Sequence, residues 1–295
     1  MAQSYIQDDK AVREDLLDVL KNLSPTERQL TNGLGVSKAN QLYHESLVDT
    51  LDSVAVNAYA QGSDACYRVL TNPTRIANFV QTLRKGWMVP SLEDSINTAA
   101  FSKRTAHEKI KALESLGNDL EFALMRGSLV SGSGTVASQM RGLKNSLSLV
   151  TSQSGISLTQ KILEDYFQLV WDNTSTEVNA VYSSMYIKRK ISGYTTKITQ
   201  FAPQDDKRLQ LAVDIYQSDA AKMVKLFAHR YVKNGSDTNH DVVGVNEEFF
   251  KVAYIRKPFS EDRAKTGDAE KGEITTDATL EVRHYNAGFN GQKHL

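Results

Sequence analysis

The stretch Ser102–Gly127, SKRTAHEKIKALESLGNDLEFALMRG, decides how the rest of the chain is read. Ala106, Ile110, Leu113, Gly117, Leu120 and Leu124 recur at steps of three and four, which sets them on one stripe of a helix whose other faces carry Lys, Glu and Asp. Ser102 is placed as an N-cap, and Gly127 opens a Gly/Ser run that ends the helix. At 1.5 Å per residue the stretch spans roughly 39 Å, the width of a domain. The spacing predicts a spine with its stripe, Leu113 and Leu120 included, facing the core. A core helix by itself says nothing about function.

Upstream, Val12, Leu16, Val19, Leu20 and Leu23 form the apolar face of a short amphipathic helix. Ser24-Pro25-Thr26-Glu27 supplies N-cap, first-turn Pro and the Glu of a capping box for a second one, stopped at Asn32-Gly33-Leu34-Gly35. These 40 residues are too few to hold a core and must lean on something. From 41 to 90 the helical period gives way to β-branched and aromatic runs, LYHESLVDTL and RIANFVQTLRKGWMV, which read as two strands. Between them NAYAQGSDACYR is small and polar, so the prediction is one long hairpin with its tip near Gln61-Gly62-Ser63-Asp64. A two-stranded ribbon is marginal alone in water, so such a projection implies a partner surface on another chain or another domain.

Downstream of the spine, GSLVSGSGTVASQ is a connector, and Ser157–Asn173 is a second amphipathic helix. Val178–Tyr182, Leu211–Tyr216, Met223–Val232 and Val242–Val245 read as strands, and YIKRKISGY as a turn of helix and a loop. EEFFKVAYIRKP and ITTDATLEVRHYNA are strands flanking a charged loop, EDRAKTGDAEKGE. The class is α+β, without regular βαβ alternation.

Lys+Arg 35 against Asp+Glu 35 leaves no overall field to draw the chain to nucleic acid or an anionic membrane. Cys66 is alone, which excludes an intrachain disulfide and suits a reducing compartment; its ordinary role is that of a small, partly buried hydrophobe. Residues 1–15 lack a basic start followed by an apolar core, and no run of about 18 apolar residues occurs, so neither a signal peptide nor a membrane span is expected.

Three patterns imitate chemical motifs. Gly127–Ser133 has the glycine spacing of a phosphate loop, but Ser133 stands where its Lys belongs and a helix precedes it. Asp237, Asn239, Asp241 and Glu248 fall on calcium-loop positions, yet Val242 replaces the Gly of the sharp turn. His107-Glu108 begins a zinc-protease pattern in which Lys111 replaces the second His. None points to a cofactor, a metal or a catalytic residue.

Several stretches, taken in order, resemble the major capsid proteins of tailed bacteriophages, in the branch with the Hong Kong 97-like shell fold typified by phage SU-ten. They are AVREDLLDVLKNLSPTE at 11–27, SQMRGL at 138–143, LVWDNTSTEVNAVYSSMYIKRKISGY at 169–194, VDIYQSD at 213–219 and NEEFFKVAYIRKPFSEDRAKTGDAEKGEI at 246–274. The resemblance implies an N-terminal arm at 1–40, an extended loop at 41–90, a peripheral domain with the spine helix at 91–130, and a mostly axial domain at 131–250. Strands at 251–295 would return to both domains. It implies no enzyme and no cofactor, but a shell subunit that forms pentamers and hexamers around double-stranded DNA in a virion assembled in host cytoplasm. Its partners would be its own copies, with scaffolding, portal and decoration proteins, and no membrane. Because this arm is short, a separate scaffolding protein, or none, is implied.

On that reading the intersubunit contacts are expected at Asn57, Tyr59, Gln61, Cys66 and Tyr67 of the loop, and at the basic clusters Arg84, Lys85 and Lys188, Arg189, Lys190. The alternatives are a cellular nanocompartment shell of the encapsulin-like kind and a soluble α/β enzyme whose site is assembled from scattered residues.

Overall fold

The computed structural model describes residues 27–52, 54–65, 67, 72–96, 103–174, 176–194, 215–221, 223–233, 239–265 and 267–295. In chain order the elements are α1 (Gln29–Gly33), β1 (Gly35–Lys38), β2 (Tyr43–Val48), β3 (Thr74–Phe79), β4 (Gln81–Pro90), α2 (Ser91–Ser95) and α3 (Arg104–Arg126). Then come α4 (Leu143–Ser146), β5 (Leu149–Ser152), α5 (Gln160–Asn173), β6 (Ala180–Ser183), α6 (Met185–Tyr194), β7 (Ile215–Tyr216) and β8 (Val224–Ala228). β9 (His240–Val245), β10 (Phe250–Arg263), β11 (Ala269–Val282) and β12 (Gly288–His294) complete the chain.

The strands form sheets of order β1-β10-β11-β4, β5-β12-β9-β6-β8-β7 and β2-β3. By compactness the chain divides into a smaller unit holding Arg84–Asn118 and Pro258–Thr275, and a larger one of Arg28–Leu83, Asp119–Lys257 and Thr276–Leu295.

The larger unit is built on the six-stranded sheet. Along β6 and β9, alternate residues go to opposite faces, as the period of a strand requires. Val181 and Val242 join Leu163, Phe167 and Val170 of α5 and Ile187 and Ile191 of α6 in one buried cluster. Ala180, Tyr182, Val243 and Val245 join Leu120, Ala123, Leu124 and Met125 of α3 in the other. Burying a large apolar side chain contributes about 1.5–3 kcal/mol, so these two layers are the main source of the unit's stability. Thr159 caps α5 by accepting from the Ile162 N–H.

In the smaller unit, Trp87 of β4 packs against Gly272 of β11, where a Cβ would lie only 2.4 Å from Trp87 Cζ2. Lys109 of α3 stands 4.7 Å over the Trp87 ring and pairs with Asp262 at 2.9 Å. The Trp87 slot therefore requires the absence of a side chain at 272.

The spine helix is present, but its predicted stripe is corrected. Leu120 and Leu124 are buried, while Ala106, Ile110 and Leu113 are exposed, Ile110 by 60% and Leu113 by 46%. In that half of α3 the buried residues are Thr105 and Leu116, about a quarter-turn round the helix. The two halves of α3 belong to two units, so one apolar stripe does not define the buried face of both.

Four assignments also change. β4 is not the second strand of a long hairpin; it continues past the β2–β3 ladder into the four-stranded sheet next to β11. The charged stretch read as a loop is mostly strand, the ends of β10 and β11, with only 264–268 left between them. YIKRKISGY is part of the ten-residue α6, and the run 223–232 is strand only to Ala228, followed by a 3-10 turn at Arg230–Val232. The helix expected at 12–23 and residues 211–214 of the expected strand lie outside the described residues.

Candidate functional site

The segment between β2 and β3 is where the fold leaves its apolar surface unfinished. The β2–β3 ladder runs antiparallel from Tyr43↔Phe79 to Val48↔Thr74. Beyond it, among the described residues, no strand or helix occurs between Asp49 and Pro73. The tip turns where expected: Gly62 has φ +84, and the Ser63 N–H donates to the Ala60 carbonyl at 3.1 Å. Glycine suits that left-handed position because it carries no Cβ.

Leu42, Leu47, Leu51, Val54, Val56, Tyr59 and Tyr67 all face solvent in this region, Leu51 by 94% and Val56 by 95%. A monomer rarely leaves so many large apolar side chains of one segment in water, and exposed apolar surface of this kind marks a face completed by another chain. Asn57 and Gln61 are exposed beside them. Cys66 lies outside the described residues. Leu51, read as the end of a strand, and Val54 and Val56 had no expected contact role. Their signal was an apolar run, LDSVAV, with no period that could place it in a core.

The basic candidates do not join this loop in one site. Arg84 is exposed on β4 and its charge adds to the Arg263 hydrogen bond in holding the Glu273 carboxyl below its ordinary range. Lys85 is half-buried on the same strand. Lys188, Arg189 and Lys190 sit together on α6, with Arg189 the most exposed. Lys190 already donates to Ser157 Oγ at 2.7 Å and to the Leu295 carbonyl, and lies 4.6 Å over the Tyr186 ring.

Two buried carboxylates of the interior, Glu121 and Asp241, are matched by donors. Glu121 Oε1 accepts from the Leu30 N–H at 2.6 Å and stands 2.9 Å from His229 Nε2; its Oε2 accepts from the Thr31 N–H at 2.9 Å and hydroxyl at 2.6 Å. Burial alone would push the Glu121 carboxyl up, but the bonds from His229, Thr31 and Leu30 hold it below the usual range. Asp241, one of the calcium-like positions, is fully buried, paired with Lys144 and accepting from the Lys293 N–H at 2.9 Å. Asp237 lies outside the described residues.

A cleft of about 530 Å³ is lined by Glu164, Gln168, Trp171, Glu177, Asp219 and Ala220. Glu164 there accepts from the Tyr216 hydroxyl at 2.5 Å and from Ser218. Among the described residues no group of three His, Cys, Asp or Glu could hold a metal ion, and no helix is long and apolar enough to cross a membrane.

A mixed helix-and-sheet fold with an exposed apolar segment fits a subunit that is completed by other chains. The comparisons agree. The chain matches the family described as SU10 major capsid protein over residues 2–290, and it belongs to that family. Among solved structures, its fold is similar to the capsid of the cyanophage A-1(L), with a TM-score of 0.68 and 13% identity over 96% of this chain and 97% of that one.

It is likewise similar to the capsid of a native GTA particle, at 0.67 and 12% over 100% of both chains. The SrpI encapsulin of Synechococcus elongatus PCC 7942 matches at 0.65 and 10%, over 100% of this chain and 96% of that one. At such identities these likenesses concern the fold alone. No curated protein sequence matches the chain. The family is one of structural capsid proteins, so the chain is a phage head shell protein of the virion and not an enzyme.

Proposed function

We propose that the chain assembles as pentamers and hexamers into an icosahedral head shell around packaged double-stranded DNA, and that residues 41–90 include the extended loop that clasps a neighbouring subunit. The exposed apolar row Leu51, Val54, Val56, Tyr59 and Tyr67 carries this reading. A closed ring needs a head-to-tail contact between two different faces of one subunit, and a projecting apolar loop is one such face.

Residues 1–40 are then the arm, 91–130 the peripheral domain, 131–250 mostly the axial domain, and 251–295 strands that return to both. Asn57, Tyr59, Gln61, Cys66, Tyr67, Arg84, Lys85, Lys188, Arg189 and Lys190 lie at contacts between copies. With Lys+Arg 35 balancing Asp+Glu 35, contacts to DNA are sparse and independent of sequence. Assembly takes place in the host cytoplasm, with a separate scaffolding protein or none, and portal and decoration proteins are the further candidate partners.

Replacing Asn57–Tyr67 by a short Gly-Ser turn tests the clasp. The shortened subunit is expected to keep its circular dichroism and melting transition while failing to form closed particles by negative-stain electron microscopy. Normal particles, or loss of the fold, would contradict the clasp.

A further inference from the structure

The stripe Ala106, Ile110, Leu113 and Gly117 has the composition of a buried helix face, yet its three side chains are exposed. It runs for 12 residues of α3, about 17 Å along the axis at the helical rise. On one side it is flanked by Lys103, His107, Lys111 and Glu114, which one helical turn places next to the stripe.

The chain holds one stretch outside the described residues that matches this face in length and character. Val12, Leu16, Val19, Leu20 and Leu23 also repeat at three and four over 12 residues, again about 17 Å if helical. Asp8 and Asp15 fall beside that apolar row, and with Asp9, Glu14 and Asp18 they outnumber Lys10, Arg13 and Lys21, leaving a net negative stretch opposite in sign to Lys103 and Lys111. The stretch joins the described residues at Glu27, which belongs to the same compact unit as the stripe, and only Ser24-Pro25-Thr26 intervene. Three residues extended reach about 10 Å, so the stretch stays close to Glu27.

We infer that the exposed stripe of α3 is the docking face for residues Val12–Leu23 of the same chain, helix against helix, with Leu16 and Leu20 over Ile110 and Leu113. This docking lies outside the clasp described above and does not rest on it.

The test uses the full chain with Cys66→Ser, so that introduced thiols are the only ones. With Leu113→Cys, labelling by N-ethylmaleimide is expected to be at least ten-fold slower than in the same chain carrying Leu16→Asp and Leu20→Asp. Equal rates would overturn the inference. With Leu16→Cys and Leu113→Cys together, oxidation is expected to give a cross-link that migrates as a monomer on a non-reducing gel. A dimer, meaning that the arm crosses to a second copy, would overturn docking within one chain, as would an equal yield from the pair Leu16→Cys and Ser115→Cys, whose second thiol lies on the opposite side of α3. Should Leu113→Cys fail to fold, Ile110→Cys repeats both measurements at the neighbouring position.

Discussion

Glu121 Oε1 lies 2.9 Å from His229 Nε2, with both side chains out of solvent, and the same carboxylate accepts both backbone N–H groups at Leu30 and Thr31. One residue of the spine helix thus holds the first turn of α1 and the end of β8 together. Removing one partner of a buried, hydrogen-bonded charge leaves the others uncompensated, at about 3–5 kcal/mol. Glu121→Ala is expected to lower the stability of the unassembled subunit by that order in urea unfolding. Glu121→Gln, which keeps an acceptor, should cost about 1–3 kcal/mol.

The same pairing fixes a pH dependence. Glu121 has a folded pKa below its ordinary 4.5, as does Glu281, which burial would raise but which bonds from Ser37, Arg283 and His44 lower further. Their stabilising contributions are present above pH 4.5 and are lost as pH falls through the folded values. His284 and His294 are pushed down from 6.5 by burial, so their protonation favours the unfolded chain below that pH. His294 faces Tyr166, whose hydroxyl is 3.0 Å away, with Asp241 and Lys190 as the nearby charges. Stability followed by denaturant melts is expected to decline in two windows, below 6.5 and again below 4.5, and Glu121→Gln should weaken only the second.

Leu120 and Leu113 stand two turns apart on α3 and should respond differently. Leu120 is 3% exposed within the main core, and truncating such a residue costs about 2–5 kcal/mol. Leu120→Ala is expected to lose that much. Leu113→Ala should lose at most about 1 kcal/mol when made in a chain that also carries Leu16→Asp and Leu20→Asp, where the arm does not cover the stripe and less apolar area leaves water on folding. Equal losses in thermal melts would contradict the assignment of the two faces.

Gly272→Ala should displace Trp87. The new Cβ would meet the indole at 2.4 Å and the Glu261 carbonyl at 2.8 Å, and backbone on one side leaves the ring as the part that moves. Overpacking of this kind costs about 1–3 kcal/mol. Acrylamide quenching reads the change: Trp171 is half-exposed and Trp87 buried, so the wild type should show one accessible and one protected tryptophan, and the variant two accessible ones.

What was legible in the sequence was whatever a period or a turn residue encodes locally. The spine, α5, β6, β9 and the Gly62 tip were read because spacing or glycine placed them. The stripe of the spine was misread at Ile110 and Leu113, since periodicity finds an apolar face but not what covers it.

The ends of β10 and β11 looked like a charged loop because their side chains pair with one another, as Arg263 does with Glu273, instead of entering a core. β12, GFNGQKH, carries two glycines and four polar residues; it is a strand because β9 and β5 flank it, which no local pattern records. The expected contact residues of the loop rest on the resemblance to shell subunits and on a ribbon without a partner of its own. Leu51, Val54 and Val56 needed the exposure itself.

The central claim is that contacts between copies of this chain build the shell and that nucleic acid fills it afterwards. Purified subunits should be mixed with and without double-stranded DNA at low and high salt, and closed particles counted by electron microscopy. Apolar contacts are not screened by salt, whereas ion pairs are, so particles are expected without DNA, fewer but still present as ionic strength rises. Particles that form only when DNA is supplied would contradict the account.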